Sequence, residues 1–191
     1  MEKLYYESPS LERKKDALEF VDEFKRYNSK LPGSGGLDNY YDNYEEWLVK
    51  LEEDKNLKPG GKIVPAETFF LVRESDNRII GITNIRLSLN ESLKKFGGHI
   101  GYSIRPTERR KGYNKINLYL ALQECQKNGI DIAILTCDKA NIASSKTMTS
   151  LGAQLQFEYE LEGIIEQNYS IDVDKALDTY KDEYSQLIKQ R

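Results

Sequence analysis

The apolar positions of the chain follow two periods, one of about 3.6 residues that is typical of helices and one of 2 residues that is typical of strands. The predicted helices cover residues 9–27, 40–51, 116–127, 142–151 and 174–190, with a short polar helix at 90–95. The predicted strands cover residues 68–74, 79–87, 99–104, 130–137, 154–161 and 165–173. This mixture predicts the α/β (α+β) class, with a C-terminal helical tail.

The most informative segment is residues 98–153, where a strand, a loop, a helix and a second strand follow one another. The first strand ends at Arg105-Pro106, because proline cannot donate to a ladder. The helix ends at Asn128-Gly129, a left-handed C-cap signal. Residues 130–137 are almost continuously apolar, which suits a central parallel strand covered on both faces. The segment is therefore predicted to form a β-α-β unit.

Composition narrows the classes of protein that the chain can represent. A length of 191 residues favours one domain spanning residues 1–191. The net charge of -3 gives no footprint for nucleic acid, and no apolar run approaches the ~18 residues that would span a bilayer. No signal core is visible near residue 1, so a cytoplasmic location is expected. The two cysteines, Cys125 and Cys137, have no metal-ligand spacing, and no metal is expected.

The loop between the first strand and the helix is rich in cations, running Arg109-Arg110-Lys111-Gly112-Tyr113-Asn114-Lys115. The unpaired amides and the positive dipole end of a following helix favour an anion at this position. Gly112 lets the backbone approach that anion closely, and the cations beside it reach outlying phosphates. A pyrophosphate group is the expected ligand.

This segment resembles the GCN5-related N-acetyltransferases (GNAT superfamily), and specifically a bacterial branch of predicted acetyltransferases. The cofactor loop of that family, Gln/Arg-x-x-Gly-x-Gly/Ala, falls on residues 109–114. Its second element, an asparagine after the next strand followed by a short helix and a glycine, falls on Asn141 and Gly152. A Rossmann dinucleotide fold fits less well, since Gly-x-Gly-x-x-Gly is absent from the turn.

The resemblance implies a single-domain fold with a mixed central sheet flanked by helices, and acetyl-CoA as co-substrate. The implied activity is N-acetylation of a primary amine of a small molecule or peptide by direct attack on the thioester. Twelve residues are implied to bind the cofactor: Tyr102, Ser103, Ile104, Arg109, Arg110, Lys111, Gly112, Tyr113, Asn114, Lys115, Asn141 and Ser144.

Two residues depart from the family pattern. Asn114 stands where glycine or alanine is usual, and its side chain needs room beside the phosphates. Met148 stands where many relatives have a tyrosine that protonates the departing thiolate, so the general acid is unassigned. Both departures motivate the alternative that the chain is a non-catalytic CoA-binding or interaction module.

The sequence also does not decide which residue acts as the general base. His99 is the only histidine, and its ordinary pKa near 6.5 suits the task, but a structural role is equally compatible with the sequence. Glu67 and Glu74 are further candidates. Tyr40, Tyr41 and the glycine-rich link before them are candidates for contact with the acceptor. The partners expected are an amine acceptor and neither nucleic acid nor membrane, with a homodimer left open.

Overall fold

The computed structural model describes residues 2–189, and within them seven strands and six α-helices. The strands are β1 (Leu4–Glu7), β2 (Ala66–Arg73), β3 (Arg78–Arg86), β4 (Ile100–Ile104), β5 (Ile132–Asp138), β6 (Gln154–Leu161) and β7 (Ile164–Asp172). The helices are α1 (Lys14–Arg26), α2 (Tyr44–Lys55), α3 (Glu91–Phe96), α4 (Tyr113–Lys127), α5 (Ile142–Thr149) and α6 (Val173–Tyr184). The α/β class is confirmed.

The strands form two antiparallel sheets, in the orders β1-β2-β3-β4 and β5-β7-β6. The expectation of β5 as a central parallel strand in one mixed sheet is wrong, because β5 pairs antiparallel with β7 and is the edge of its sheet. One face of β5 is buried through Ala133, Leu135 and Cys137, whereas Ile132 is half exposed. The apolar run therefore does not reflect burial on both faces.

The two sheets meet just before β4 begins, against the middle of β5. There the Gly98 and Leu135 backbones form an isolated bridge, and the His99 N–H donates to the Ile134 carbonyl at 2.6 Å. Beyond that point β4 has no strand partner on the side facing β5 within residues 2–189. We call this side, from Ile100 to Ile104, the open edge of β4.

Helices cover both faces of the first sheet. On one face α1 and α2 bury an aromatic cluster around Phe20, Phe24, Trp47 and Phe70. On the other face α4 packs against the sheet with α6 behind it, and this larger cluster continues into the second sheet. Because α4 is clamped between these layers, its N-terminus is held at the C-terminal end of β4.

Most predicted elements are confirmed, with differences at α2 and at the two ends of the chain. The helix predicted over 40–51 begins only at Tyr44 and continues to Lys55, because Leu37–Tyr40 forms a separate 3₁₀ turn. The four-residue strand β1 was not predicted, since it is too short to show a period. The tail is helical only to Leu187, in a short 3₁₀ turn after α6, and Ile188 then runs parallel to Leu4. The predicted helix to residue 190 is therefore wrong beyond 187, and residue 190 itself lies outside the described residues. No helix among residues 2–189 is long and apolar enough to cross a membrane.

Candidate active site

The loop between β4 and α4 presents a row of backbone amides. Arg110 and Gly112 both have left-handed backbone angles, with φ of 63° and 83°. The amides of the five residues from Arg110 to Asn114 have no acceptor among the described residues, and no side chain caps α4. A Cβ added to Gly112 would meet nothing within 4 Å, so the loop is open above it. We call residues 109–114 the phosphate loop, because this geometry fits an anion.

The open edge of β4 presents further backbone groups. The Arg105 N–H donates to the Ile80 carbonyl and the His99 carbonyl accepts from Arg86, so the odd-numbered residues of β4 face β3. By the alternation of an antiparallel pair, the N–H groups of Ile100, Tyr102 and Ile104 point to the open edge. Of the three strand residues predicted to bind the cofactor, Tyr102 and Ile104 therefore direct their amides toward it.

Ser103, the third, lies in a different setting. Its backbone pairs with Ile82 of β3, and its hydroxyl donates to the Pro32 carbonyl at 2.6 Å. Pro32 begins a segment, residues 32–36, that crosses β4, and we call this segment the strap. Ser103 thus fixes the strap and does not face the open edge.

The strap touches β4 backbone to backbone. A Cβ on Gly33 would lie 2.3 Å from the carbonyl carbon of Gly101 and 2.4 Å from the amide nitrogen of Tyr102. Gly33 also has a φ of 74°, so glycine is required twice over. Because the strap belongs to the α1–α2 link, the predicted acceptor-side segment lies directly on the strand that carries the open edge.

The cations of the phosphate loop have different environments. Arg109 is tethered, since its Nε donates to the Ile104 carbonyl at 3.1 Å and its Nη2 to the Ser29 hydroxyl at 2.7 Å. Lys111 forms an ion pair with Glu108 at 2.8 Å. Arg110 is exposed and its side chain forms no hydrogen bond or ion pair with the described residues. Arg110 is therefore the loop cation that is free for a ligand.

The first turn of α4 carries two further residues that were predicted to bind the cofactor. Tyr113 is buried and its hydroxyl accepts from Arg73 at 3.3 Å, which anchors the first turn of α4. Lys115 is exposed on the same turn, and its amide donates to the Gly112 carbonyl. Of the two, Lys115 has the side chain that is accessible from solvent.

The side chain of Asn114 points into the protein. Its Oδ1 accepts from the Nδ2 of Asn117 at 3.3 Å, and its own Nδ2 lies 3.5 Å from the Thr147 hydroxyl of α5. Asn117 is fully buried and also accepts from Tyr6 and Thr83. These contacts place the Asn114 side chain in a polar chain between α4 and α5, away from the free amides.

Replacing Asn114 with alanine, a residue of the family pattern, is therefore not expected to tighten CoA binding. The buried Nδ2 of Asn117 would lose its acceptor, and we expect the free energy of unfolding to fall by about 1 kcal/mol. Chemical denaturation and calorimetry with CoA measure the two effects. A tenfold gain in CoA affinity without loss of stability would show that the Asn114 side chain crowds the phosphates.

The N-terminus of α5 carries the other two predicted binding residues. The Oδ1 of Asn141 caps the helix by accepting from the Ser144 amide at 3.2 Å, while its Nδ2 has no partner among the described residues. The Ser144 hydroxyl lies 2.9 Å from that of Tyr102, which links α5 to β4. Burial raises the pKa of Tyr102 to about 12, so its phenol keeps its proton at neutral pH. Met148 is fully buried in the core.

The surroundings of His99 favour its structural role. Its Nδ1 accepts from the Ile134 N–H at 3.0 Å, so the neutral ring carries its proton on Nε2 and has no free lone pair. Burial, with a smaller contribution from the nearby Arg86 guanidinium, lowers its pKa to about 4. A group with this pKa is a weak base at neutral pH. The catalytic assignment of His99 stays a prediction that these contacts do not favour.

The carboxylates that could act as a general base have different environments. Glu67 and Glu74 form ion pairs with Lys55 and Lys189, at 3.3 and 3.2 Å. Glu166 of β7 is half buried and lies opposite Asp138 of β5, and burial followed by the charge of Asp138 raises its pKa. A carboxylate with a raised pKa suits proton abstraction better than an exposed one. Sequence reasoning missed Glu166, because only the strand register brings Asp138 beside it.

Comparison with known proteins gives one family. The model of the GNAT acetyltransferase domain matches residues 15–154, more than half of the chain. No protein of curated function matches the sequence closely enough to count as a relative. The chain belongs to the GNAT acetyltransferase family, and it is an acetyltransferase.

Solved structures with the same fold include three that contain CoA or acetyl-CoA. RimJ of Mycobacterium smegmatis, in complex with CoA-disulfide, superposes with a TM-score of 0.67 at 12% identity over 92% of this chain and 88% of that one. RimL, a ribosomal-protein alpha-N-acetyltransferase in complex with CoA, gives 0.64 at 16% identity over 90% and 95%. The microcin self-immunity acetyltransferase MccE, in complex with acetyl-CoA and AMP, gives 0.61 at 15% identity over 89% and 92%. At these identities the likeness shows the fold.

Proposed function

We propose that the protein transfers an acetyl group from acetyl-CoA to a primary amine of a small molecule or a peptide. The observation that carries the proposal is the row of five free amides from Arg110 to Asn114, followed along β4 by the open edge. An anion cradle continuous with unpaired strand amides suits a ligand that has phosphates at one end and amide groups along its length. CoA has this chemistry.

The residues of the chain can be assigned to parts of that ligand. The phosphate loop would hold the pyrophosphate, with Arg110 as the free cation. The open edge would pair with the pantetheine amides, and Asn141 Nδ2 can donate from the facing side. Bound acetyl-CoA supplies the thioester whose carbonyl the amine attacks. The N–H groups of Tyr102 and Ile104 are donors that can stabilise the oxyanion that develops.

Proton handling by the chain involves two steps. The amine must be neutral to attack, and the thiolate that leaves is stabilised by a nearby acid. On β4 and α5, Tyr102 and Ser144 supply O–H groups where Met148 has none. Glu166 is the carboxylate whose raised pKa suits the base. Neither assignment is needed for binding, so each can be tested separately from it.

The decisive test is turnover. Purified protein with acetyl-CoA is expected to release free thiol only when an amine is added, across a panel of polyamines, amino acids, aminoglycosides and peptide N-termini. CoA binding by calorimetry without turnover on any acceptor would favour the alternative of a non-catalytic CoA-binding module. No binding at all would contradict the proposal.

Replacing Arg110 with alanine is expected to weaken CoA binding about tenfold, because one charge-assisted hydrogen bond to phosphate is lost. Stability should not change, since the Arg110 side chain has no hydrogen-bond or ion-pair partner to lose among residues 2–189. Pantetheine, which has no phosphates, should bind equally to both proteins. The matched control is Lys127→Ala, which removes an exposed cation at the opposite end of α4. If the variant lost equal affinity for CoA and for pantetheine, Arg110 would not contact the phosphates, and they would bind elsewhere.

A further inference from the structure

We propose that Glu108 is a positioning residue for the CoA phosphates, holding the phosphate loop in its binding shape from beneath. This rests on the proposed function. A carboxylate beside an anion site is unexpected, because its charge repels phosphate. The sequence offers no reason to single it out, since it lies in a polar turn directly before Arg109.

The contacts of Glu108 resolve the conflict. Its side chain is only 3% exposed. One oxygen accepts from Arg73 at 2.8 Å and from Lys111 at 2.8 Å, and the other accepts from Arg78 at 3.0 Å. Burial alone would raise the pKa of Glu108, but Lys111 and Arg73 outweigh it and the pKa lies below its ordinary value. The carboxylate is therefore ionised and surrounded by three cations.

These cations tie Glu108 to two points within the row of free amides. Lys111 belongs to the phosphate loop itself. Arg73 also donates to the Tyr113 hydroxyl at 3.3 Å, in the first turn of α4. The two residues with left-handed backbone angles, Arg110 and Gly112, lie between the Glu108 carboxylate and the Tyr113 anchor. Glycine adopts such an angle freely, but Arg110 is not a glycine, and its left-handed backbone persists only where the surroundings fix it.

A second buried carboxylate secures the start of the same turn. Glu23 of α1 accepts from both the amide and the hydroxyl of Thr107, at 2.9 and 2.8 Å, and from Arg105 at 3.0 Å. Arg78 connects the two carboxylates, lying 3.5 Å from Glu23 and 3.0 Å from Glu108. The phosphate loop is thus attached through charged groups to α1, β2 and β3, while its own amides stay free.

The variant Glu108→Gln separates positioning from simple electrostatics. It keeps the shape of the side chain and removes one negative charge, which by itself would strengthen phosphate binding. If positioning dominates, CoA affinity should instead fall by about tenfold, the loss expected when one phosphate contact is misplaced. Pantetheine affinity should change little. Calorimetry with CoA and with pantetheine measures both, and the matched control Asp16→Asn removes a carboxylate that pairs with buried Arg13 away from the loop.

Each outcome decides the question. Unchanged or tighter CoA binding by Glu108→Gln would overturn the positioning role while leaving the proposed function intact. Equal losses for CoA and pantetheine would show a general structural role and overturn it as well. If Glu108→Gln does not fold, Glu108→Asp keeps the charge and shortens the reach, and a selective loss of CoA affinity is again expected. Wild-type protein that binds no CoA would contradict both proposals. CoA binding by the wild type is therefore measured before any variant is made.

Discussion

Replacing Gly33 with alanine is expected to lower kcat/KM for amine acetylation about 100-fold. This is the order of loss that follows when a catalytic group is displaced by about 1 Å. The new Cβ would collide with the Gly101 carbonyl and the Tyr102 amide, both of which are backbone atoms that cannot rotate away. Either the strap or β4 must move. Movement of β4 displaces the Tyr102 N–H, which we assign as a donor to the thioester carbonyl.

The control for this experiment is Gly36→Ala in the same strap. Gly36 also has a left-handed φ, of 88°, but its nearest neighbours to an added Cβ are side-chain atoms at 3.9 and 4.0 Å. Both variants lose about 1–2 kcal/mol of stability from the backbone angle, so the difference between them reports the contact with β4. Steady-state kinetics with the best acceptor, together with CoA calorimetry, measure it. Equal activities of the two variants would show that the strap contact does not position β4.

The features that the sequence predicted well depend only on residues that are close together in the chain. The end of α4 at Asn128-Gly129 needs only the last turn and the two residues after it, and the structure has the expected C-cap, with the Ile130 amide bonded to the Cys125 carbonyl. The need for glycine at position 112 is likewise local, because it follows from the left-handed φ of that residue alone. The elements and the phosphate loop follow from such short-range signals.

What the sequence could not predict depends on distant partners. The run from Ile130 to Cys137 has the composition of a doubly covered strand, yet β7 pairs it at the edge of a separate sheet. Glu108 has the sequence setting of a solvated turn residue, and its partners Arg73 and Arg78 lie 35 and 30 positions earlier. A weak signal existed for Glu23, which falls three residues after Phe20 and so borders the apolar stripe of α1.

The direction of a side chain is also non-local. Asn114 occupies a glycine or alanine position of the family pattern, and sequence alone places its amide beside the phosphates. The neighbouring turn and α5 supply Asn117 and Thr147 as partners instead. A polar residue at a binding loop is therefore best judged by the partners behind the loop as well as by the ligand in front.

Acid is expected to destabilise the protein through His99. Its pKa is about 4 when folded and about 6.5 when unfolded, so the unfolded chain binds the additional proton between these values. Stability from this group is present above pH 6.5 and is lost as the pH falls toward 4. Between pH 7 and 4.5 we expect a loss of about 2 kcal/mol in the free energy of unfolding.

The variant His99→Asn isolates this effect, because His99 is the only histidine and every other titrating group is common to both proteins. An asparagine Oδ1 can still accept from the Ile134 N–H, so the contact between the sheets is kept. The stability difference between wild type and variant should narrow by about 2 kcal/mol from pH 7 to 4.5 in denaturant titrations. Activity at pH 8 should stay within about tenfold of wild type, whereas loss of a general base costs roughly 100- to 10,000-fold. A loss of that size with a pH-independent stability difference would restore His99 as the base, and would mean that the ring frees its Nδ1 lone pair when the acceptor binds.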